Sequence, residues 1–291
     1  MGASTAAERE LFASAVVSVG CVRSAIDHPR FTGRASVPGH RFVFPRYGVW
    51  IQPGRSARYL SDATIVEYYN GGDEFSRRPL DPRGDSTEWY GVAEPILRDV
   101  VRRYDPAAAD SVQPFRRAHG PTDGCAYAVQ RTLFHRIALG HPVEGLEIEE
   151  TVLRLLDRVL ARMYGRQRPA LQHVSRSERD IAERASAILS QMPTTRAGLA
   201  TIARECGVSV FHLSRVFRKV TGVTLARHHL QVRLLASLCP LLESTTSIPE
   251  IGRAHGFLRH SHYSSAFRRA FGVAPSVYRR RPRPPHQLAV E

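Results

Sequence analysis

The sequence predicts an α+β chain of two domains: a β-rich N-terminal part with trailing helices, and an all-helical C-terminal part. Three observations predict it. Residues 35–92 have a strand-and-turn texture, with RFVFPRYGVWIQ and ATIVEYYNGG rich in aromatic and β-branched residues. Two stretches, 199–223 and 248–273, align with each other and read as the same unit of helix, glycine turn and second helix. Charge is also divided unevenly. Residues 1–174 carry 23 basic and 20 acidic side chains, whereas 175–291 carry 18 and 7.

The 291 residues suffice for two ordinary cores, and 43% apolar content is that of a globular chain. No apolar run approaches the roughly 18 residues that span a bilayer. The start, MGASTAAERELFASAVV, lacks a basic segment ahead of an apolar core, so no secretory signal is expected. Ala6 stands where a myristoylation motif wants Ser or Thr. Cys21, Cys125, Cys206 and Cys239 make no close pair, which fits small apolar residues in a reducing, cytoplasmic compartment. Of 41 basic residues only Lys219 is lysine, a bias that GC-rich coding produces. That bias acts on both halves, so it cannot explain the charge asymmetry. The basic C-terminal part therefore points to a polyanionic partner.

In the N-terminal part, Asn70-Gly71-Gly72 marks a turn, and helices are expected over 126–139 and 146–164. The second has Glu147, Glu149 and Glu150 early and Arg158 and Arg162 late, matching the helix dipole. Its stripe of Val152, Leu155, Leu156, Val159, Leu160 and Met163 is wider than one face. It suits burial within the domain, or in part against a second subunit. Residues 1–165 are read as one domain, 166–180 as a polar linker, 181–280 as the helical domain and 281–291 as a disordered basic tail.

Within the repeat, Ile202, Arg204 and Gly207 meet Ile251, Arg253 and Gly256; after one inserted residue, Ser214, Phe217 and Arg218 meet Ser264, Phe267 and Arg268. Gly207 and Gly256 turn the chain, and Gly222 and Gly272 stop the second helices. Ser209 is positioned to cap one helix, and Ser247-Ile248-Pro249-Glu250 has the form of a capping box. Leu213, Val216 and Phe217 in the first copy, and Tyr263, Ala266 and Phe267 in the second, form the inward stripes. A helix with Leu225, Val232, Leu235 and Leu238 on its apolar side joins the copies, and Pro240 is expected to kink it. Two short helices with a tight turn and a basic outer face form a helix-turn-helix.

Residues of roughly 180–280 resemble the DNA-binding domain of AraC/XylS-type transcriptional regulators. The resemblance rests on Leu199-x-x-Ile202-Ala203, Gly207-Val208-Ser209, Leu213-Ser214-Arg215-x-Phe217-Arg218 and Gly222. It continues through Ile251, Gly256-Phe257, Phe267-Arg268, Phe271-Gly272, Pro275 and Tyr278-Arg279. It implies base contacts from Phe211, Ser214 and Arg215, beside His212, and at the matching His260, Ser261, His262, Ser264 and Ser265. Arg218, Lys219, Arg268 and Arg269 are assigned to phosphates, which set register without reading sequence. Three positions depart from the family pattern: Arg259 at a cap often Ser or Asp, Ser265 where Arg is common, and Pro240 in place of leucine. The first motif is expected to carry most specificity and the second mainly affinity.

More loosely, Phe44-Pro45-Arg46-Tyr47-Gly48-Val49 and Tyr69-Asn70-Gly71-Gly72 resemble the cupin-like β-barrel found at the N-terminus of one branch of the family. This implies an effector-sensing or dimerisation module, with Arg46, Trp50 and Tyr68 as candidate effector contacts; ordinary core or surface roles are the competing reading. Double-stranded DNA is the expected partner, with a small-molecule effector, a second copy and RNA polymerase as further candidates and no membrane. No cofactor and no enzymatic activity are expected. His260-Ser261-His262 is a poor metal pair, because helix neighbours two apart point about 200° from each other. A nucleoid-type binder of low specificity and a cupin metalloenzyme are the alternatives.

Overall fold

The computed structural model describes residues 8–54, 56–165, 174–191 and 198–280. The tail at 281–291 and the linker residues 166–173 lie outside the described residues.

Ten strands come first: β1 (Glu8–Ala13), β2 (Val17–Ser24), β3 (Arg34–Ser36), β4 (Arg41–Pro45), β5 (Val49–Pro53), β6 (Tyr59–Ser61), β7 (Ile65–Tyr69), β8 (Glu74–Pro79), β9 (Asp85–Val92) and, after two helices, β10 (His119–Pro121). They form a six-stranded sheet in the order β1-β2-β9-β4-β7-β10 and a four-stranded sheet in the order β3-β8-β5-β6, with every pair antiparallel. Among the described residues the sheets are not closed into the barrel implied by the resemblance: neither strand order returns to its start. The edge strands β3, β6 and β10 are three residues long, and each pairs only within its own sheet. The result is two open sheets face to face.

Side-chain alternation explains this layering. Along β4, Phe42 and Phe44 face the helices while Val43 faces the second sheet; along β9, Tyr90 and Val92 alternate with Trp89 in the same way. All eight residues of β9 are buried, because both faces of this central strand are covered. The cover on the helical side comes from α1 (Glu94–Arg102), α2 (Pro106–Ala109), α3 (Gly124–Ala138) and α4 (Gly145–Gly165). The six stripe residues of α4 are all buried within the single chain, so no second subunit is needed to cover them.

The C-terminal helices are α5 (Arg176–Gln191), α6 (Leu199–Cys206), α7 (Val210–Thr221), α8 (Leu225–Ala236), α9 (Leu238–Glu243), α10 (Ile248–Ala254), α11 (His260–Phe271) and α12 (Pro275–Arg280). The joining helix is broken at Ser237 into α8 and α9. Pro240 has no N–H to offer the Ala236 carbonyl four residues earlier, and the break falls there. Arg233 Nε donates to the His255 carbonyl at 2.6 Å, and Tyr263 Oη donates to Ser237 Oγ at 3.0 Å, so the second motif braces the break.

The two motifs are held differently. α6 and α7 pack with α5 in a core of their own, from Ala182, Ala185, Leu189, Ile202, Leu213 and Phe217. Ile251, Phe257, Tyr263, Phe267 and Tyr278 of the second motif instead join the main core with α3, α4 and the large sheet. Further contacts bridge the halves: Gln191 Nε2 donates to the Leu80 carbonyl at 3.0 Å, Ser190 Oγ to Asp62, and Tyr278 Oη to the Ala128 carbonyl at 3.4 Å. At Gly124 the α3 backbone comes so near α11 that a Cβ would lie 2.7 Å from the Ala270 carbonyl oxygen.

Candidate nucleic-acid interface

Local chemistry sets each reading helix. α6 ends where Gly207 adopts a φ of 70°, a conformation in which a Cβ would strain the chain. Ser209 Oγ then accepts the His212 N–H at 3.2 Å and starts α7. In the second motif Ser247 and Glu250 close the capping box in both directions, at 3.0 and 3.4 Å. Arg259, at the departing cap position, gives α11 no side-chain cap bond.

Burying Leu213, Val216 and Phe217 turns the opposite face of α7 outward. Phe211 is 79% exposed, Arg215 and Arg218 are exposed, and His212 and Ser214 are half-buried. Arg215 Nη2 lies 3.5 Å from His212 Nδ1. On α11, His260, Ser261, His262 and Ser265 are exposed, with Arg268 and Arg269 further along. Ser264 is half-buried, its hydroxyl 3.3 Å from His260 Nε2. Leu258, Arg259, Ser261, His262 and Ser265 line a shallow groove of about 450 Å³. Leu258, 73% exposed beside the Gly256 turn, was not among the sequence candidates; an apolar residue just after the turn was its only signal.

Among the described residues no ion pair engages Arg215, Arg218, Arg268 or Arg269, so these cations face outward uncompensated. Lys219 differs. Its Nζ sits 2.7 Å from both carboxylate oxygens of Glu178 on α5, and that bond holds the Glu178 carboxyl below its usual range. A phosphate would have to compete with that pair.

The three effector candidates are not brought together. Tyr68 is buried on the helical side and donates to the Val159 carbonyl at 3.3 Å. Trp50 lies on the small sheet under the Arg58 guanidinium. Between the sheets the free volume is about 50 Å³, and none of the three lines it. Arg46 borders two larger spaces, a cavity of about 320 Å³ shared with Tyr127, Val232, Leu235 and Cys239 and a cleft of about 360 Å³ beside Arg131 and Glu243. Among the described residues no group of three or more His, Cys, Asp or Glu is placed to hold a metal ion, and no helix is long and apolar enough to cross a membrane.

Sequence reasoning missed a charged network at the junction of the two halves. Glu88 on β9 is fully buried, and its Oε1 accepts from Arg131 at 2.8 Å and Arg23 at 3.1 Å, with Arg46 Nη1 3.8 Å away. Glu243, at the end of α9, lies 3.3 Å from Arg46 Nη2 and accepts from Arg131. Arg46 Nη2 is also 2.8 Å from Cys239 Sγ. These partners stand more than 40 residues apart in sequence, so no local spacing announces them.

A family model described as a helix-turn-helix domain matches residues 202–281. Regulatory protein SoxS of Escherichia coli strain K12 is 36% identical over 80 residues, 28% of this chain and 75% of SoxS. The chain belongs to the AraC-type regulator family. The AraC-type match begins at Ile202 in α6 and takes in both α7 and α11. The HTH-type transcriptional regulator GlxA of Rhizobium meliloti is 36% identical over 121 residues, 42% of this chain and 34% of that protein. The MmsAB operon regulatory protein of Pseudomonas aeruginosa is 33% identical over 89 residues, 29% of its length, so the chain spans about a third of these two relatives. Among solved structures, an AraC-type regulator from Chromobacterium violaceum aligns over 38% of this chain and 99% of its own, with 26% identity and a TM-score of 0.35. ToxT from Vibrio cholerae O395 aligns over 94% of this chain and 98% of its own, with 13% identity and a TM-score of 0.36.

Proposed function

We propose that this AraC-type chain is a sequence-specific DNA-binding transcriptional regulator, cytoplasmic and not an enzyme, modulated by a small-molecule effector through its N-terminal part. We read the two open sheets as a cupin-like sensing module. The observation that carries the proposal is the pair of exposed reading helices, α7 and α11, each with an outward row of polar and cationic side chains.

The mechanism follows from those side chains. Arg218, Arg268 and Arg269 hold phosphates and give affinity that falls as salt rises. Arg215 forms a bidentate pair with guanine O6 and N7, and Phe211 packs on a thymine methyl. His260, Ser261, His262 and Ser265 meet base edges or phosphates at the N-terminus of α11, where the helix dipole favours negative charge. α8, of 12 residues and about 18 Å, separates the two reading heads, so one chain serves where many regulators need a dimer. A second copy through the N-terminal part and contact with RNA polymerase are compatible with this reading and are not needed for it.

The test is affinity selection of sheared genomic DNA by the purified full chain near physiological salt, beside Arg215→Ala. A few enriched sites sharing a motif, lost or altered with the variant, are expected. Uniform recovery by both proteins would leave a basic DNA binder without sequence preference.

A further inference from the structure

We infer that Arg46 and Arg131 form an organic-anion site that Glu243 fills from the C-terminal half, and that a small carboxylate with an apolar body is the ligand that displaces it. The inference rests on the regulatory reading above and names the effector class and its place.

Charge carries the argument. Within the N-terminal half three guanidiniums, of Arg23, Arg46 and Arg131, share one buried carboxylate, Glu88. Arg131 is 1% exposed, and the Arg46 side chain 11%. A buried cation with less than its share of counter-charge is costly. The remaining negative charge comes from the other half of the molecule. Glu243 reaches in from the end of α9, bonds Arg131 and lies beside Arg46, yet its own side chain stays 39% exposed. A carboxylate held by two arginines at the edge of solvent is what a bound organic acid would look like, here supplied by the protein itself.

The surroundings fit a ligand larger than a bare ion. A cleft of about 360 Å³ opens beside Glu243 and is walled by Arg23, Arg131, Phe134, His135, Leu139 and Leu242. That volume lies in the range of small-molecule sites. Phe134, Leu139 and Leu242 offer apolar contact to an aromatic or short aliphatic body. Burial and the nearby Arg131 hold His135 below its usual range, which favours a neutral imidazole beside the arginines. Displacing Glu243 would act on α9, the segment that joins the two reading units just after the break at Ser237. Occupancy of the cleft is thereby linked to the relative placement of α7 and α11.

Titration calorimetry on the full chain tests this, with benzoate as the probe, benzamide as its neutral counterpart, and Glu243→Gln beside the unaltered protein. Removing the built-in competitor is expected to tighten benzoate binding about tenfold or more, with benzamide bound by neither protein. In Glu243→Gln, adding Arg46→Gln is expected to abolish the gain. Circular dichroism melts confirm that each variant is folded; where Arg46→Gln does not fold, the comparison of benzoate with benzamide decides. Benzoate bound no more tightly by Glu243→Gln, not bound at all, or matched by benzamide would overturn the inference. The readout involves no DNA, so its failure leaves sequence-specific DNA binding standing, and failure of the DNA selection leaves this result intact.

Discussion

Glu67 shows how a single side chain can set the pH dependence of the N-terminal part. It lies between the two sheets with Tyr59 Oη donating to it at 3.2 Å, and burial pushes its carboxyl up to about 7. The folded chain therefore binds this proton more tightly than the unfolded chain does. Stability from Glu67 is full below about pH 4.5 and is lost as pH rises to about 7. Its cross-strand neighbour His119 is pushed down to about 4 by burial and by Arg117, so its contribution is lost in the opposite direction, as pH falls from about 6.5 to 4. Glu67→Gln keeps the acceptor for Tyr59 and cannot ionise. Thermal melts are expected to show a larger gain for this variant at pH 8 than at pH 5; an equal difference at both would refute the assignment. On the reading helices, Arg215→Ala is expected to cost about 1–3 kcal/mol of base discrimination, read by competition between selected and altered sites. His262→Ala is expected to weaken binding with less loss of discrimination, and equal losses would contradict the ranking of the two motifs.

The elements separate into what repeats and what pairs at a distance. The two motifs were legible in sequence because they recur: glycines at both turns, serine caps, and inward triplets such as Leu213, Val216 and Phe217 all fall at helical spacing. The interruption near Pro240 was legible too: the helix breaks at Ser237, next to Ala236, whose carbonyl finds no N–H at residue 240. The two-sheet arrangement was legible only as β texture, since strand order and closure depend on pairings distant in sequence and not on the alternation that marks a strand. Lys219 looked like an outward cation because Glu178, its partner, lies on a different helix. The separate core of α5, α6 and α7 predicts a separate unfolding unit. Leu213→Ala should cost about 2–5 kcal/mol and melt that unit ahead of the sheets. Phe267→Ala, in the shared core, should lower the main transition instead. Hydrogen exchange separates the two, and loss of protection throughout the chain in Leu213→Ala would contradict the division.

At the scale of the whole molecule, the second motif is built into the core of the N-terminal half, while the first hangs from α5 and α8. Contact at Gly124, the hydrogen bonds from Ser190 and Gln191, and the Arg131–Glu243 pair hold the C-terminal helices against the N-terminal half. α7 and α11 keep their outward faces exposed in this arrangement, so the docked molecule can still present both to DNA. The central claim is that those faces read sequence and do not merely attract phosphate. The most direct measurement is the ratio of affinities for a selected site and for a shuffled duplex of equal composition, at one fixed physiological salt concentration. A ratio of about a thousandfold or more, collapsing in Arg215→Ala while the shuffled duplex binds as before, is the predicted result. A ratio near one, unchanged by the substitution, would contradict it.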